Sequence, residues 1–469
     1  MARMLYDDTI AAVATPPGEG GVGIVRISGP DARPILERIF APARPGRWRP
    51  FHLRYGRVVA PAGEPVDEAL GVFFRGPRSF TAEDVAEISC HGGPLVLSRV
   101  LGLALECGAR LAAPGEFTMR AFLNGRIDLA QAEATADIIG ARTATGLALA
   151  QAQLGGWLSG ELGRLRELLL APLAYCTALV DFPEDDIDAD EVATPVAAAL
   201  DQIERLIAGA DQGIVYRTGA RAAIVGLPNA GKSSLLNALL RADRAIVTPV
   251  PGTTRDTLEE TANLRGVPVV LVDTAGITET DDPVERIGVA RSRQALAGAD
   301  LALLVLDATR APGDEERAIA LLTAGRPTVL VLNKVDLLEG EGRRAKDEGP
   351  QEHPWTFALC SSSPPAAVVS VSARTGQGID ALAEAVSSLL LRGVAAPGSH
   401  LVTSPRHREA LLRATGHLRD ALEGCGRGIP ADLLAVDLTA ALSALGEITG
   451  ESVGDDLLSV IFSRFCIGK

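Results

Sequence analysis

The hydrophobic and polar positions of this chain fall into distinct patterns. Residues 129–213 and 405–462 are rich in Ala and Leu at helical spacing, which predicts two blocks of helices. Residues 216–393, between these blocks, contain short apolar runs typical of buried parallel strands. Because the helical blocks flank this region, we interpret them as one all-α domain into which a doubly wound α/β domain is inserted.

The first part of the chain has a pattern typical of an α+β domain. Thr9–Ser28 predicts two strands around a Pro/Gly turn, residues 69–74 and 85–89 predict further strands, and residues 92–108 predict a helix. The turn sequence PPGEGG also resembles a phosphate loop, but it has no Lys and no G-x-G-x-x-G before a helix, which favours a plain turn. The predicted multidomain α/β protein therefore has an α+β domain (1–125), an all-α domain (126–215 plus 394–469) and an inserted α/β domain (216–393).

Composition agrees with about three domains, since 469 residues at roughly 150 per domain give that number. No apolar run reaches the ~18 residues of a membrane span, and the start MARMLYDDTI does not resemble a signal peptide, so we expect a cytoplasmic protein without a membrane span. The six cysteines form no C-x-x-C pairs, which argues against a disulfide framework or a zinc site. A formal charge of −14 argues against a broad nucleic-acid-binding face, so any RNA contact must be local or supplied by a partner.

The candidate chemistry centres on the stretch RAAIVGLPNAGKSSLLN, which begins at Arg221. An apolar strand leads into a G-x-x-x-x-G-K-S loop, and an amphipathic helix follows, which is the context of a phosphate-binding loop. In this reading the backbone N–H groups and the helix N-terminus surround the phosphates, and Lys232 bridges the β- and γ-phosphates. Ser233 is expected to offer its hydroxyl to Mg²⁺.

Three further motifs, each at the carboxyl end of a predicted strand, complete a site for a guanine nucleotide. The run VPVVLVDTAG places Asp273 for a magnesium-bound water and the Gly276 N–H for the γ-phosphate, and VVSVSAR places a backbone N–H for guanine O6. In PTVLVLNKVD, the Asp336 carboxylate can accept from guanine N1–H and the 2-amino group, whereas adenine would leave it unpaired. Sites of this kind discriminate by about 10⁴-fold or more.

The segment TPVPGTTRD is expected to form the first switch, in which Thr254 can bind Mg²⁺. The amide oxygen of Asn229, with carbonyl groups of this Pro/Gly-rich loop, could hold a monovalent cation near the bridging oxygen. Such a cation would supply part of the roughly 10³- to 10⁵-fold that an arginine finger contributes. The predicted GTP contacts are Asn229, Ala230, Gly231, Lys232, Ser233, Ser234, Thr248, Pro249, Val250, Pro251, Gly252, Thr253, Thr254, Asp273, Thr274, Ala275, Gly276, Asn333, Lys334, Val335, Asp336, Ser372, Ala373 and Arg374.

Three features of the sequence allow two interpretations each, and a fourth has no assigned role. Ile277 follows DTAG and cannot orient water, so Glu285 is either the water-positioning group or a helix-surface glutamate. The acidic run DFPEDDIDAD is either a cation site or, more commonly, a capped helix–helix turn, and Cys466 is either a nucleophile or a small structural residue. The Gly-, Glu-, Ser- and Pro-rich stretch 339–367 reads as a surface insertion with no assigned role.

Several stretches together resemble the tRNA-modification GTPase family called MnmE or TrmE over essentially the whole chain. They are TPPGEGGVGIVRISG, SFTAEDVAEISCHGGP, APGEFTMRAFLNGRIDLAQAEA, DFPEDDID, GEITGE and the terminal FCIGK, together with the inserted nucleotide motifs. Ribosome-assembly GTPases of the Era and Der types share the PGTTRD and NAGKSSL stretches but lack these outer parts.

The resemblance implies roles for individual residues. Asn229, Thr248, Val250 and Thr253 match the family's K⁺ site, and Ser233 and Thr254 match its Mg²⁺ ligands. Glu285 matches the glutamate that orients the hydrolytic water through a bridging water. The N-terminal domain resembles folate-binding modules, so 5-formyl- or 5,10-methylene-tetrahydrofolate is the expected ligand, and its pocket is matched by Arg26, Glu87, Arg126 and Lys469. Arg126 stands where relatives can carry Lys, and Glu19 where they can carry Arg.

The resemblance also implies a function and partners. A homodimer would join an FAD-dependent partner, MnmG or GidA, in a heterotetramer that modifies C5 of the wobble uridine (position 34) of certain tRNAs. GTP hydrolysis would drive the cycle, and most tRNA contacts would come from the partner. The alternative is a ribosome-assembly or signalling GTPase that acts as a switch without modification chemistry.

Overall fold

A computed structural model describes residues 7–181, 189–242, 259–273, 296–338, 364–392, 400–463 and 465–468. The chain divides into two compact units. The first consists of Met1–Ala136, Leu154–Arg166 and Thr439–Lys469, and the second of Asp137–Gln153 and Glu167–Leu438. The three domain boundaries drawn from the sequence remain a prediction.

The first unit contains a seven-stranded sheet in the order β3-β4-β5-β6-β2-β1-β7, antiparallel except between β1 and β7. Its strands are β1 (Ile10–Val13), β2 (Gly20–Ser28), β3 (Phe40–Pro42), β4 (Arg54–Val59), β5 (Pro65–Phe74), β6 (Val85–Gly92) and β7 (Arg110–Leu111). Three helices accompany them, α1 (Ala32–Ile39), α2 (Pro94–Glu106) and α3 (Glu116–Leu123). The strands and the helix predicted in this region are confirmed, whereas the sequence analysis predicted none of β3, β4, β7, α1 and α3.

The two faces of this sheet differ because successive side chains of a strand point to opposite sides. One face packs on α1 and α2 through buried residues such as Val25, Ile27 and Ile88. On the other face the register aligns Arg26 with Glu87 and Glu87 with Val72, and it aligns Leu70 with Tyr55. This second face, called here the open face, carries the polar and exposed apolar side chains of the sheet.

The second unit contains the nucleotide motifs in a six-stranded sheet of order β13-β12-β11-β8-β10-β9, parallel except for the edge strand β9. Its strands are β8 (Ala220–Val225), β9 (Glu259–Leu264), β10 (Val267–Asp273), β11 (Leu301–Asp307), β12 (Thr328–Asn333) and β13 (Ala367–Ser370). The helices among them are α9 (Lys232–Ala242), α10 (Asp314–Leu322) and α11 (Ile379–Leu390). The multidomain fold with a parallel nucleotide-binding sheet is therefore confirmed.

The predicted helical blocks are also confirmed. Their helices are α4 (Leu129–Gly140), α5 (Ala144–Leu154), α6 (Trp157–Asp181), α7 (Ala189–Ala208), α8 (Ala210–Thr218), α12 (Pro405–Arg427), α13 (Ala431–Thr449) and α14 (Asp455–Phe462). The break at DFPEDDIDAD lies between α6 and α7, and residues 182–188 are outside the described part of the chain. Among the helices that are described, none has the length and apolar character needed to cross a membrane.

Within the second unit, the turn between β9 and β10 lies against a helix outside the nucleotide-binding sheet. A Cβ added at Gly266 in this turn would come within 2.5 Å of the Thr145 hydroxyl on α5. Arg142, just before α5, donates to the Thr261 hydroxyl on β9 at 3.2 Å. The start of β10 is therefore in direct contact with helical residues, and its last residue, Asp273, belongs to a nucleotide motif.

Candidate functional site

The phosphate-loop motif lies between β8 and α9, as the sequence predicts. Lys232 is the first residue of α9, and its side chain is 8% exposed. Its Nζ donates to the carbonyl groups of Gly226 at 3.0 Å and Leu227 at 2.9 Å. The ammonium group thus lies across the loop whose N–H groups are expected to receive phosphate oxygens.

Asn333 connects this loop to the guanine-reading segments. Its side chain is 2% exposed, its Nδ2 donates to the Ala230 carbonyl at 3.0 Å, and its Oδ1 accepts from the Ala373 N–H at 3.1 Å. Gly231 has φ of +93°, and a Cβ there would lie 2.2 Å from Asn333 Nδ2, so only glycine fits. Asn333 therefore fixes the phosphate loop against the loop that follows β13.

Two polar pairs position the rest of the guanine-reading motif. Asp336 accepts a hydrogen bond from the Ser372 hydroxyl at 2.8 Å, which orients the carboxylate predicted to read guanine. Lys334 has a left-handed backbone (φ +68°), and its Nζ lies 2.7 Å from Asp307 Oδ2. Burial alone would raise the pKa of Asp307, but hydrogen bonds from Lys334 and Thr309 more than offset it and lower that pKa.

The sequence reading did not predict the partner of Lys334. Asp307 is the last residue of β11, a strand that carries none of the four nucleotide motifs. Its apolar run ends in an aspartate, as the run of β10 does, and this was the one signal in the sequence. The structure therefore adds Asp307 to the residues that shape the base site.

The residues predicted to hold metal ions are described only in part. Asn229 (φ +65°) and Ser233 are exposed at the phosphate loop, where an amide oxygen and a hydroxyl suit K⁺ and Mg²⁺. Asp273 ends β10, which pairs with β8 beside the loop. The remaining predicted site residues of this region lie outside the described residues: Thr248, Pro249, Val250, Pro251, Gly252, Thr253, Thr254, Thr274, Ala275, Gly276 and Glu285.

A second candidate site lies on the open face of the first sheet. Arg26 and Glu87 occupy paired positions on β2 and β6, with Arg26 Nε 2.7 Å from Glu87 Oε1. The Arg26 guanidinium is 5.1 Å from the centre of the Phe80 ring and lies 3.4 Å from the carbonyl oxygen of Gly468, to which it donates. Lys469, the next predicted pocket residue, is outside the described residues.

Beside this pair is a cleft of about 560 Å³, a size common for small-molecule sites. Arg126 lines it, donates to the Phe80 carbonyl at 2.8 Å and lies 5.2 Å from the Phe80 ring centre. Aromatic rings and two arginines dominate its wall, and Glu87 is its one acidic group. The lining residues are Phe51, Phe74, Pro77, Arg78, Ser79, Phe80, Val85, Glu87 and Arg126. The structure thus brings three predicted residues together and adds the aromatic wall, which the sequence reading missed.

A buried ionic cluster supports one wall of this cleft. The fully buried Arg120 on α3 contacts Asp8 at 2.7 Å, Glu116 at 3.0 Å and Glu83 at 3.3 Å. Glu83 belongs to the β5–β6 loop, which also carries Phe80. The stretch APGEFTMR contains Glu116 and Arg120 at i and i+4, which was the only sequence signal for this cluster.

The sequence matches two family descriptions. Residues 9–126 match "GTP-binding protein TrmE N-terminus", and residues 129–466 match "MnmE helical domain". Three curated relatives are each called tRNA modification GTPase MnmE. Identity is 66% with the protein of Roseiflexus sp. (strain RS-1), 59% with that of Chloroflexus aurantiacus and 50% with that of Symbiobacterium thermophilum; each alignment covers 99% of this chain and 100% of the relative. Because identities of half or more extend over the full length of these relatives, the chain belongs to the MnmE family of tRNA modification GTPases.

Proposed function

We propose that this protein is a potassium-stimulated GTPase that takes part in modifying C5 of the wobble uridine of certain tRNAs. In this proposal a tetrahydrofolate supplies the one-carbon unit, and an FAD-dependent partner of the MnmG type supplies the redox chemistry and most RNA contacts. The main support for the proposal is that two features occur in one chain. One is the phosphate loop held by the hydrogen bonds of Asn333, and the other is a separate cleft whose lining suits a folate.

The nucleotide half of the proposal rests on the order of groups around the phosphate loop. Lys232 holds a positive charge over the loop, Asn333 fixes the loop, and Ser372 donates a hydrogen bond to the Asp336 carboxylate. Mg²⁺ and K⁺ would neutralise charge on the phosphates, with Ser233 and Asn229 among their ligands. Glu285 is proposed to position the attacking water, since Ile277 cannot do so.

The folate half rests on the chemistry of the cleft. A pterin offers a flat ring and N–H donors, which suit the aromatic wall and the Glu87 carboxylate. The glutamyl tail of a folate is anionic, and Arg78 and Arg126 line the same cleft. The 2.7 Å ion pair with Arg26 fixes the orientation of the Glu87 carboxylate, whose oxygens are to accept these N–H bonds. When bound, the folate would supply a one-carbon unit at the formyl or methylene level.

Titration with 5-formyltetrahydrofolate tests this half directly. We expect saturable binding by the wild-type protein and at least tenfold weaker binding by Arg26→Ala, because Glu87 then loses the partner that orients it. Arg33→Ala is the matched control, since Arg33 forms an exposed pair with Glu37 on α1. If the wild type shows no saturable binding, a switch without modification chemistry becomes the better account.

Deletion of the gene followed by nucleoside analysis of total tRNA tests the proposed role in tRNA modification. We expect the loss of C5 substituents from the wobble uridine, and re-expression of the wild-type chain should restore them. An unchanged nucleoside profile in the deletion strain would refute a role in this modification.

A further inference from the structure

One segment of the chain is strongly basic, although the chain as a whole is acidic. Between Glu37 and Glu64 the sequence contains no acidic residue, although the chain as a whole has 59 Asp and Glu against 45 Lys and Arg. The arginines of this interval are Arg38, Arg44, Arg47, Arg49, Arg54 and Arg57. Residues 44–57, called here the arginine-rich segment, therefore form a local exception to the charge balance.

Some arginines of the segment are structural and others are not. Arg54 lies 5.2 Å from the buried Trp48 ring and donates to the Gly46 carbonyl at 2.8 Å, so it fixes the loop before β4. Arg44, Arg47 and Arg49 are exposed, and none forms an ion pair with any described residue. The part of the segment before β4 thus presents three cations to solvent.

Two exposed aromatic side chains follow these cations along the chain. Phe51 is 50% exposed, has a left-handed backbone (φ +64°) and is held in place by its N–H bond to the Phe73 carbonyl at 2.8 Å. Its ring packs edge-on against Phe74, with centres 5.8 Å apart, at the rim of the cleft. Tyr55, on the open face, is 55% exposed. A strained bulky residue kept at the surface indicates a role in binding, since burial does not account for it.

We propose that the arginine-rich segment binds the unpaired loop of an RNA, with phosphates on Arg44, Arg47 and Arg49 and a base stacked on Phe51. Single-stranded RNA is recognised by stacking on aromatic rings next to arginines that contact the backbone. The position of Phe51 at the rim places a stacked base beside the cleft proposed for the folate. The inference rests on the proposed function, and it assigns part of the RNA contact to this chain instead of its partner.

The test measures binding of the full-length protein to a fluorescent RNA hairpin with an unpaired uridine-containing loop, over a range of KCl concentrations. The variant combines Arg44→Gln, Arg47→Gln and Arg49→Gln, and the matched control combines Arg99→Gln, Arg310→Gln and Arg427→Gln, which are exposed elsewhere. Loss of three phosphate contacts should reduce the slope of log affinity against log salt by about 2, at roughly 0.7 per contact with a single strand. The control should retain the wild-type slope.

A second variant separates base stacking from charge. Phe51→Leu should weaken hairpin binding by about tenfold and reduce the preference for the hairpin over a duplex of the same composition, because a duplex offers no unstacked base. The triple arginine variant should keep wild-type GTP turnover and 5-formyltetrahydrofolate binding, which shows that it is folded.

Two outcomes would overturn the inference. One is a wild-type protein that binds no hairpin, or a triple variant with the same salt slope as its control. The other is a triple variant whose only change is its oligomeric state, which would make the segment a contact between copies of this chain. In either case intact folate binding and tRNA modification would leave the proposed function standing, whereas their loss in the wild type would refute that function by itself.

Discussion

Replacement of Arg120 by Met should destabilise the first unit far more than loss of an exposed ion pair. Arg120 is fully buried and is shared by Asp8, Glu83 and Glu116, of which Glu116 is 3% exposed. Removing one partner of a buried ionic cluster typically costs about 3–5 kcal/mol. Arg110 also pairs with Asp8 and Glu116 at 2.7 Å, but it compensates only part of the charge that Arg120 leaves behind. Met fills a similar volume, so the expected loss is electrostatic.

Urea unfolding can isolate this unit if Trp48 is the only fluorescent tryptophan. The protein has three tryptophans, and Trp48 is 7% exposed in the core of the first sheet. The measurement uses a Trp157→Phe, Trp355→Phe background. If Arg120→Met lowers the free energy of unfolding by about 4 kcal/mol, and this free energy decreases by ~2 kcal/mol per molar urea, the urea midpoint of unfolding falls by about 2 M. Arg33→Met removes an exposed i,i+4 pair and a 5.9 Å contact with the Phe73 ring, and should cost about 1 kcal/mol or less.

The Arg120→Met variant should also hold the β5–β6 loop, which forms one wall of the cleft, less firmly. Glu83 and Phe80 share the β5–β6 loop, so the loop loses one anchor when Arg120 is removed. We expect weaker 5-formyltetrahydrofolate binding and unchanged GTP turnover. A midpoint no lower than that of Arg33→Met would refute the view that this cluster holds the unit together.

Three further predictions concern charge and the nucleotide site. Burial alone would raise the pKa of Asp8 and Glu116, but ion pairs with arginine lower both pKa values. The stabilisation from these pairs is fully present above the ordinary pKa values of 3.8 and 4.5, and it is lost as the pH falls through the lower values of the folded protein. At pH values below about 4.5, the urea midpoint of the wild type should therefore decrease with pH more steeply than that of the Arg120→Met variant. Asn333→Leu should weaken GDP binding at least tenfold in calorimetry, because two buried backbone groups lose their partner at about 1–3 kcal/mol each; affinity equal to wild type would contradict the bracing role. Glu285→Ala should slow turnover and leave GTP affinity nearly intact, with faster hydrolysis in K⁺ than in Na⁺ for the wild type; unchanged turnover would exclude the water-positioning role, and equal rates in the two salts would exclude the K⁺ site.

Local sequence was sufficient to predict the nucleotide site because each motif is a short run at the end of a strand. The parallel sheet then brings the strand ends to one edge, where Lys232 and Asp336 are predicted to form one site. The bracing bonds of Asn333 were not predictable in this way, because they join segments that are distant in sequence and depend on the orientation of one amide. The ion pair between Lys334 and Asp307 was not predicted, for the same reason.

The cleft was found only through resemblance, and its wall was not found at all. Arg26, Glu87 and Arg126 come from three separate segments, and no spacing along the chain relates them. Their proximity follows from the pairing of β2 with β6 and from the path of the β5–β6 loop. Phe51 and Phe80 look like ordinary core residues in the sequence, since only the fold shows which aromatic rings face solvent.

The position of β10 has a mechanical consequence. Its seven residues extend from the turn at Gly266, in contact with Thr145, to Asp273 beside the phosphate loop. An extended strand paired on both sides resists stretching, so an axial shift at one end is transmitted to the other with little loss. We therefore expect an axial displacement of Asp273 to reach the contact between Gly266 and Thr145 on α5, because the strand between them is paired with β8 and β9.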